Sequence, residues 1–301
     1  MLHTRTTPAE RRRAFRARLA SGELLRMPGA VNPYSARLIQ EHGFDAVYLS
    51  GAVLSADLGL PDIGLTTATE VAARAQQIAR VTDLPALVDA DTGFGEPMNA
   101  ARTVQLMEDA GLAGLHLEDQ VNPKRCGHLD GKSVVDRAEM VRRIRAAADA
   151  RRDPDFLLMA RTDARGVEGL AAAIDRAKAY VDAGADAIFP EALADEAEYA
   201  AFRAAVDVPL LANMTEFGKS PLLSARTLTE LGYNIALYPV TLFRLAMGAV
   251  EHGLRVLAAE GTQESLLPGM QTRSRLYEAL GYADYAAFDS AVHDFTLPPD
   301  A

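Results

Sequence analysis

Short apolar runs alternate with longer amphipathic stretches along most of the chain, and glycine marks many of the joints. Four times a helical stretch closes on a glycine and a short apolar run follows: His42-Gly43-Phe44-Asp45-Ala46-Val47, Ala110-Gly111-Leu112-Ala113-Gly114-Leu115, Ala183-Gly184-Ala185-Asp186-Ala187-Ile188 and Leu231-Gly232-Tyr233-Asn234-Ile235-Ala236. Glycine supplies the left-handed residue that ends a helix, and a short unbroken apolar run suits a strand buried on both faces. In a second theme, Asp83-Leu84-Pro85-Ala86-Leu87-Val88 and Asp207-Val208-Pro209-Leu210-Leu211-Ala212, proline opens the strand, where no ladder donor is required. The pattern predicts eight strands, near residues 25–28, 46–50, 86–89, 114–117, 156–161, 187–189, 210–213 and 234–238, with helices between them. A surface helix is expected over Pro8–Ala20. Eight strands each followed by a helix match a closed parallel (β/α)8 barrel of the TIM type, an α/β fold. An open doubly wound sheet fits less well, because no Gly-rich phosphate loop follows the first strand. One catalytic domain is expected over residues 1–301, with the barrel over about 1–253 and a C-terminal helical extension, 254–301, ending in a Pro-rich stretch.

Polar residues gather where these strands end. The second ends in Tyr48-Leu49-Ser50-Gly51, the third in Asp89-Ala90-Asp91-Thr92-Gly93, the fourth in Glu118-Asp119, the fifth in Arg161-Thr162-Asp163, the sixth in Glu191 and the seventh in Asn213-Met214-Thr215-Glu216. In a barrel all of these share the C-terminal face, where such folds place active sites.

Charge and composition narrow the partners. Lys and Arg number 31 against 41 Asp and Glu, a formal net charge of −10, which argues against a nucleic-acid role and its basic face. No apolar run approaches the roughly 20 residues that span a membrane. Arg5, Arg11, Arg12, Arg13, Arg16 and Arg18 could read as a transit peptide, but Glu10 interrupts them and no Ser-rich stretch accompanies them. A single cysteine precludes an intramolecular disulfide and fits a reducing compartment, so a cytoplasmic location is expected.

That cysteine lies in Lys124-Arg125-Cys126-Gly127-His128. Two cations and a histidine within two positions are expected to favour the thiolate and lower its pKa from about 8.5. The surrounding Gly, Asn, Pro and Lys predict a loop; an ordinary small residue in a solvated basic loop is the rival reading. Asp89 and Asp91 alternate in what reads as an extended segment and would share one side of the backbone. Paired carboxylates there suit a hard cation, Mg²⁺ or Mn²⁺, although helix-capping aspartates are common. Glu118, on the neighbouring strand, could hold metal-bound water. Arg161 and Arg244 are candidates to grip carboxylates bidentately, with structural ion pairs as the competing account. His116 and His128 lack a second histidine at metal spacing, which speaks against zinc; His116, inside a strand, reads as a core histidine.

The segments Tyr48-Leu49-Ser50-Gly51, Gly59-Leu60-Pro61-Asp62, Asp89-Ala90-Asp91-Thr92-Gly93-Phe94-Gly95, Lys124-Arg125-Cys126-Gly127-His128, Arg161-Thr162-Asp163-Ala164 and Asn213-Met214-Thr215-Glu216-Phe217-Gly218 carry a resemblance. Over nearly its whole length the chain resembles the isocitrate lyase and phosphoenolpyruvate mutase superfamily, and within it the methylisocitrate lyases. The cysteine signature is its most specific part. Phosphonopyruvate-handling members lack the cysteine, and isocitrate lyases proper usually carry lysine where Arg125 stands and are longer. Ala52 departs from the glycine that many methylisocitrate lyases have there, which a backbone contact would tolerate.

The resemblance implies a Mg²⁺-dependent lyase, with Mn²⁺ a possible substitute, that cleaves 2-methylisocitrate to pyruvate and succinate in the methylcitrate cycle of propionate catabolism. Asp89 and Asp91 would hold the metal. Cys126 would be the general acid, within a signature that also supplies Lys124, Arg125 and His128. Tyr48, or Glu118 acting through water, would take the hydroxyl proton. Ser50, Gly51 and Ala52 would meet the pyruvate-derived carboxylate, and Gly127 would donate its backbone N–H. Asp62, Arg161, Glu191, Asn213, Met214, Thr215, Arg244 and Arg273 complete the implied substrate contacts. Phe189, Leu237 and Pro239, apolar at the ends of strands six and eight, are expected to border the substrate methyl, with rim packing as the rival account. The implied assembly is a homotetramer, a dimer of dimers that exchanges the C-terminal helical segment between barrels. A small di- or tricarboxylate is the expected partner, without nucleic acid or membrane. Cleavage of isocitrate or 2,3-dimethylmalate is the nearest alternative, and a phosphonopyruvate-type mutase or hydrolase a more distant one. A non-catalytic binding barrel would need no thiol, carboxylate pair and arginines on one face.

Overall fold

A computed structural model describes residues 4–296. In chain order they form α1 (Pro8–Ala20), β1 (Leu25–Pro28), α2 (Pro33–Glu41), β2 (Val47–Leu49), α3 (Gly51–Asp57), α4 (Ala68–Ala79), β3 (Ala86–Asp89), α5 (Pro97–Asp109), β4 (Gly114–Glu118), α6 (Arg137–Ala150), β5 (Leu157–Thr162), α7 (Arg165–Glu168), α8 (Leu170–Asp182), β6 (Ala187–Pro190), α9 (Glu196–Ala205), β7 (Leu211–Asn213), α10 (Ala225–Glu230), β8 (Ile235–Tyr238), α11 (Thr241–Glu260), α12 (Arg273–Leu280) and α13 (Tyr282–His293). Local chemistry starts several helices. Thr7 with Glu10, Asn32 with Ser35 and Thr67 with Glu70 form reciprocal capping boxes, and Pro8 and Pro33 sit in the first turn, where a missing N–H costs nothing.

Two compact units divide the chain: Thr6–Arg244, which holds all eight strands, and a helical unit of Leu245–Ala301 with Met1–Arg5. Every strand pairing is parallel, in two sheets ordered β2-β3-β4-β5-β6 and β1-β8-β7. Single parallel bridges, Gly29 with Tyr48 and Ile188 with Leu210, join β1 to β2 and β6 to the residue that precedes β7.

Because side chains alternate along a strand, the strands separate two apolar clusters. Val47, Val88, Leu115, Leu158, Ile188 and Ala212 face the helices. Met27, Tyr48, Leu87, Met159, Phe189, Leu211 and Leu237 have the opposite parity and pack with one another and with Phe15 and Leu19. Helix α1 spans Pro8–Ala20 with one face exposed, as expected of a surface helix, while its other face is buried. Phe15 and Leu19 are buried in the inner cluster, and the arginines turn inward to carbonyl oxygens at the N-terminal ends of the strands. Arg12 donates to Leu112 O at 2.8 Å and Glu108 O at 2.7 Å, and Arg16 to Phe156 O at 3.1 Å. A basic run that reads as solvated instead satisfies loop carbonyls that burial would leave unpaired.

In the helical unit, α12 and α13 bury no side chain among the described residues, while Tyr277, Tyr282, Phe288 and Val292 are exposed. The Pro-rich end lies outside the described residues. No helix among the described residues is long and apolar enough to cross a membrane.

Packing at the strand starts is tight. A Cβ on Gly114 would lie 2.6 Å from both Leu157 Cβ and Leu157 O, whereas one on Gly248, in α11, meets nothing within 4 Å. Gly114→Ala is therefore expected to destabilise by about 1–3 kcal/mol, and Gly248→Ala to stabilise by about 0.5–1 kcal/mol. Urea denaturation of both variants checks this, and equal effects would contradict the packing.

Candidate active site

The inner parity of the strands determines what their C-terminal ends present. Tyr48, Asp89, His116, Glu118, Arg161, Asp163, Phe189, Glu191, Asn213 and Leu237 all continue the inward series begun by residues such as Leu87, Met159 and Leu211. Most of them meet a cavity of about 90 Å³, lined by Tyr48, Ser50, Ala52 and Asp62, by Asp89, by the run 124–128, and by Arg161, Phe189, Glu191, Asn213, Thr215, Leu237, Pro239, Val240 and Arg244; His116, Glu118 and Asp163 stand behind it.

One side of the site is a corner of carboxylates around a lysine. Lys124 Nζ lies 2.5 Å from Asp62 Oδ1 and 2.8 Å from Asp91 Oδ1, and is almost fully buried. Burial alone would strip its proton, but Asp91, Glu118, Asp89 and Asp62 hold the ammonium charged. Asp89 Oδ2 accepts from Gly51 N at 3.3 Å and Asp89 Oδ1 from Asp91 N at 3.0 Å. The two aspartates converge for a reason other than strand alternation. The strand ends at Asp89, and Asp91 has φ 46°, a left-handed turn that brings its carboxylate back beside that of Asp89. Both flank Gly51, where a Cβ would lie 3.0 Å from Asp89 Oδ2 and 3.4 Å from Asp91 Oδ1. Burial, with repulsion from Asp89, raises Asp91 to about 6. Burial raises Glu118 well above the usual carboxylate range, and neither of its oxygens has a hydrogen-bond partner.

The other side is held by Arg161. Its Nε lies 2.9 Å from Asp163 Oδ2 and 3.4 Å from Glu118 Oε2, its Nη2 lies 3.2 Å from Glu191 Oε2, and the guanidinium stacks 5.1 Å from the Phe189 ring centroid. Burial pushes Glu191 up, but Arg161 and the His128 hydrogen bond outweigh it and hold the carboxyl well below its usual range. His128 Nδ1 accepts from Lys219 N at 2.9 Å, which places the ring hydrogen on Nε2, 2.9 Å from Glu191 Oε1. Asn213 Nδ2 donates to both Glu191 oxygens at 3.3 Å.

Cys126 opens into the cavity between these two sides. Its flanking cations do not produce a thiolate. Burial raises the thiol above its ordinary value, and Arg161 only partly opposes it. At neutral pH the group is the protonated thiol, which suits a proton donor rather than a nucleophile. Tyr48 is likewise held as the neutral phenol by burial and the nearby Asp89 charge. Its hydroxyl oxygen lies 2.8 Å from His116 Nε2, and burial lowers His116 to about 4. His116 Nδ1 has no partner. A buried acceptor costs less to leave unpaired than a buried N–H, so the imidazole hydrogen belongs on Nε2, and the Tyr48 O–H is free to donate into the cavity.

Several residues named from the sequence stand back from the cavity. Gly51, Asp91 and Glu118 lie in or behind its wall. Met214 turns into the helix-facing cluster, and its sulfur accepts from Leu223 N at 3.2 Å. Arg244, by contrast, lines the cavity, exposed and paired with Glu216, Nη1 to Oε2 at 2.8 Å. Arg273 belongs to the separate helical unit, where it begins α12. The sequence reading missed Val240 in the lining and Lys132, whose Nζ lies 2.7 Å from Asp163 Oδ1 behind it. Parity would have found Asp163, two residues beyond Arg161; nothing in the local sequence marks Lys132.

The phosphoenolpyruvate phosphomutase family profile matches residues 15–258. A "probable 2-methylisocitrate lyase 2" of Corynebacterium glutamicum is 65% identical, covering 98% of this chain and 95% of its own length. The 2-methylisocitrate lyase of Escherichia coli is 52% identical over 91% of this chain and 93% of its own. A solved structure of oxaloacetate acetylhydrolase with the inhibitor 3,3-difluorooxalacetate superposes with a TM-score of 0.90 at 35% identity, covering 97% of this chain and 100% of that one. These likenesses establish that the chain belongs to the phosphoenolpyruvate mutase and isocitrate lyase superfamily and, within it, to the 2-methylisocitrate lyase family.

Proposed function

We propose that this protein is a carbon–carbon lyase that cleaves 2-methylisocitrate to pyruvate and succinate in the cytoplasm, in the methylcitrate cycle of propionate catabolism. The observation that carries the reading is the chain's one thiol, protonated and opening into the same cavity as Asp89, Arg161 and Asn213.

A divalent cation fits the carboxylate corner. Both Glu118 oxygens are buried without hydrogen-bond partners, Asp91 Oδ1 has only Lys124 Nζ, at 2.8 Å, and both carboxyls are held above their usual pKa. That is an excess of oxygen charge which Lys124 alone does not cancel. Among the described residues no three His, Cys, Asp or Glu side chains converge as a complete metal cage. This donor set suits Mg²⁺, which takes one or two carboxylates and fills its remaining positions with water and substrate oxygens. Asp89 and Asp91 would hold it, with Glu118 behind a water. When bound, it would acidify the tertiary alcohol and offset charge on the pyruvate oxygen.

The chain's own groups account for the remaining steps. Ser50 and the Gly51 and Ala52 backbone meet the pyruvate-derived carboxylate. Tyr48 donates its O–H to the substrate oxygen, and Glu118, acting through water, takes the hydroxyl proton. The C–O bond becomes a carbonyl as the C2–C3 bond breaks, and the electron pair passes to the succinate half. Arg161, Asn213, Thr215 and Arg244 offset that charge with charge-assisted hydrogen bonds, Arg244 exchanging Glu216 for a substrate carboxylate. Cys126 delivers its S–H proton to the carbon, and the proton taken from the alcohol restores the thiol. Phe189, Leu237 and Pro239 border the methyl. The eight strands close into one barrel, a reading supported by the two bridges between the sheets. The exposed apolar residues of the helical unit support its exchange between neighbouring chains in a homotetramer.

Cys126→Ser is expected to lower kcat by about 10²-fold or more while KM changes little, because a hydroxyl is a far weaker acid than a thiol. Steady-state kinetics decide, and wild-type kcat in this variant would remove Cys126 from the chemistry. Asp91→Asn tests the corner by stability. A carboxyl raised in the folded state takes up a proton on folding, so the stability it contributes is present below about 3.8 and lost as pH rises through about 6. In chelator the variant is expected to match the wild type at low pH and to melt increasingly above it between those values. Added Mg²⁺ is expected to stabilise the wild type more than the variant. A melting difference independent of pH and Mg²⁺ would contradict the site. Substrate choice is read from kcat/KM. One methyl in an apolar pocket is worth about 10–200-fold, so wild type is expected to prefer 2-methylisocitrate to isocitrate by that order, and Leu237→Thr to narrow the preference. Equal or better use of isocitrate by the wild type overturns the methylisocitrate reading and leaves the lyase chemistry standing.

A further inference from the structure

The cysteine loop is held in place by a residue outside the cavity. Residues 120–134 leave and return at the same point. Gln120 and Val134 form an antiparallel bridge, and Val121 N donates to Ser133 O at 2.9 Å. A loop whose ends meet and whose interior is filled by its own side chains is an Ω-loop. Within it, the Gln120 side-chain amide fixes the backbone of the residue before the cysteine. Its Nε2 donates to Arg125 O at 2.8 Å, and its Oε1 accepts from Arg125 N at 2.9 Å. The residue after the cysteine is fixed by Lys132, whose Nζ donates to Gly127 O at 2.5 Å and to Asp163 Oδ1 at 2.7 Å.

Asp163 is itself rigidly placed. Its backbone N donates to Asp119 Oδ1 at 2.9 Å, and its carboxylate takes Arg161 Nε at 2.9 Å. Lys132 thus links the peptide beside Cys126 to the group that fixes Arg161. The lysine lies between exposed neighbours, Gly131 and Ser133, yet its side chain is only 4% exposed. It is turned inward rather than into water, and Gly166 leaves room for it, since a Cβ there would lie 3.3 Å from Lys132 Cε. The docked loop has no slack on its other side: a Cβ on Gly127 would lie 2.4 Å from Arg161 Nη2 and from Glu191 Cγ. A tetrahedral ammonium with three donors can serve both acceptors at once. An apolar side chain would leave the buried Gly127 carbonyl without this donor and Asp163 Oδ1 with only the longer bond from Arg161 Nη2, at 3.3 Å.

We propose that Lys132 is a positioning residue: by bridging the Gly127 carbonyl and Asp163 it holds the cysteine loop against Arg161 and Glu191, and so sets where the Cys126 sulfur stands in the cavity. The proposal rests on Cys126 being the proton donor, but loop position can be read without turnover. Cys126 is the chain's only cysteine, so the rate of alkylation by iodoacetamide reports on this loop alone.

Lys132→Met is expected to raise the alkylation rate at pH 7.5 by about tenfold, as local opening exposes the thiol. It is expected to lower kcat by about 10²-fold, the effect of a small misplacement of a reacting group, with KM within about threefold of wild type. Lys132→Arg, which keeps charge and donors, is expected to recover most of both losses. If Lys132→Met does not fold, Lys132→Gln replaces it, with a smaller effect of the same sign, since one amide can donate to only one acceptor well. Alkylation within about twofold of wild type in a folded Met or Gln variant overturns the latch, as does an Arg variant no better than Met. Faster alkylation in a protein that cleaves none of the tested acids would leave the latch standing and remove the assigned reaction.

Discussion

The Arg161 guanidinium is the interaction on which the site depends. It is buried at the end of β5 and balanced by carboxylates from three strand ends, Glu118, Asp163 and Glu191. A buried charge keeps its place only when nearly all of its partners are present, and removing one costs roughly 3–5 kcal/mol. The arrangement therefore behaves as a unit. Arg161 keeps Glu191 ionised, Glu191 receives His128 and Asn213, and Gly127 packs against both Arg161 and Glu191. Behind it, Asp119 collects Thr162 Oγ1 and Tyr180 OH, both at 2.8 Å, and the Asp163 backbone. A single charge thus fixes three strand ends and one loop relative to one another.

The opposite side of the cavity is balanced differently. Lys124 is the cation nearest Asp62, Asp89 and Asp91, and the Glu118 oxygens find no hydrogen-bond donor. Near Arg161 the charges satisfy one another and the geometry is rigid. Near Lys124, burial raises the Asp91 and Glu118 carboxyls, whereas at Asp89 the neighbouring cations outweigh burial and lower it. An unpaired buried polar atom in an otherwise well-satisfied structure calls for an explanation. The Cys126 loop stands between the two regions, and burial raises its thiol above the ordinary value.

Much of this was legible in the sequence for physical reasons. All eight strands were placed within about two residues, six of them from glycine-ended helices or proline starts, because helix ends and strand starts are decided by backbone conformations that few residue types satisfy. Polar residues interrupting apolar strand ends located the site on one edge, since burying them elsewhere would be costly. The charge sign of a loop was a poorer guide. The basic neighbours of Cys126 suggested a thiolate, whereas desolvation, which depends on what packs around the sulfur, raises the thiol. The arginines of α1 suggested a solvated face, whereas carbonyls from residues about a hundred positions away receive them.

The sequence by itself determined the order and kind of the elements, the face on which chemistry collects, and the identity of the thiol, the carboxylates and the arginines. These follow from local propensity, from period-two alternation and from residue chemistry, all of which act over a few neighbours. The tertiary structure alone decided which charges meet. It brought Asp91 back beside Asp89 through a left-handed residue rather than through strand alternation. It turned Met214 away from the cavity and placed Lys132 behind it. Each of those outcomes depends on distances between segments far apart in the chain, and electrostatic and desolvation energies are set by such distances, not by sequence neighbours.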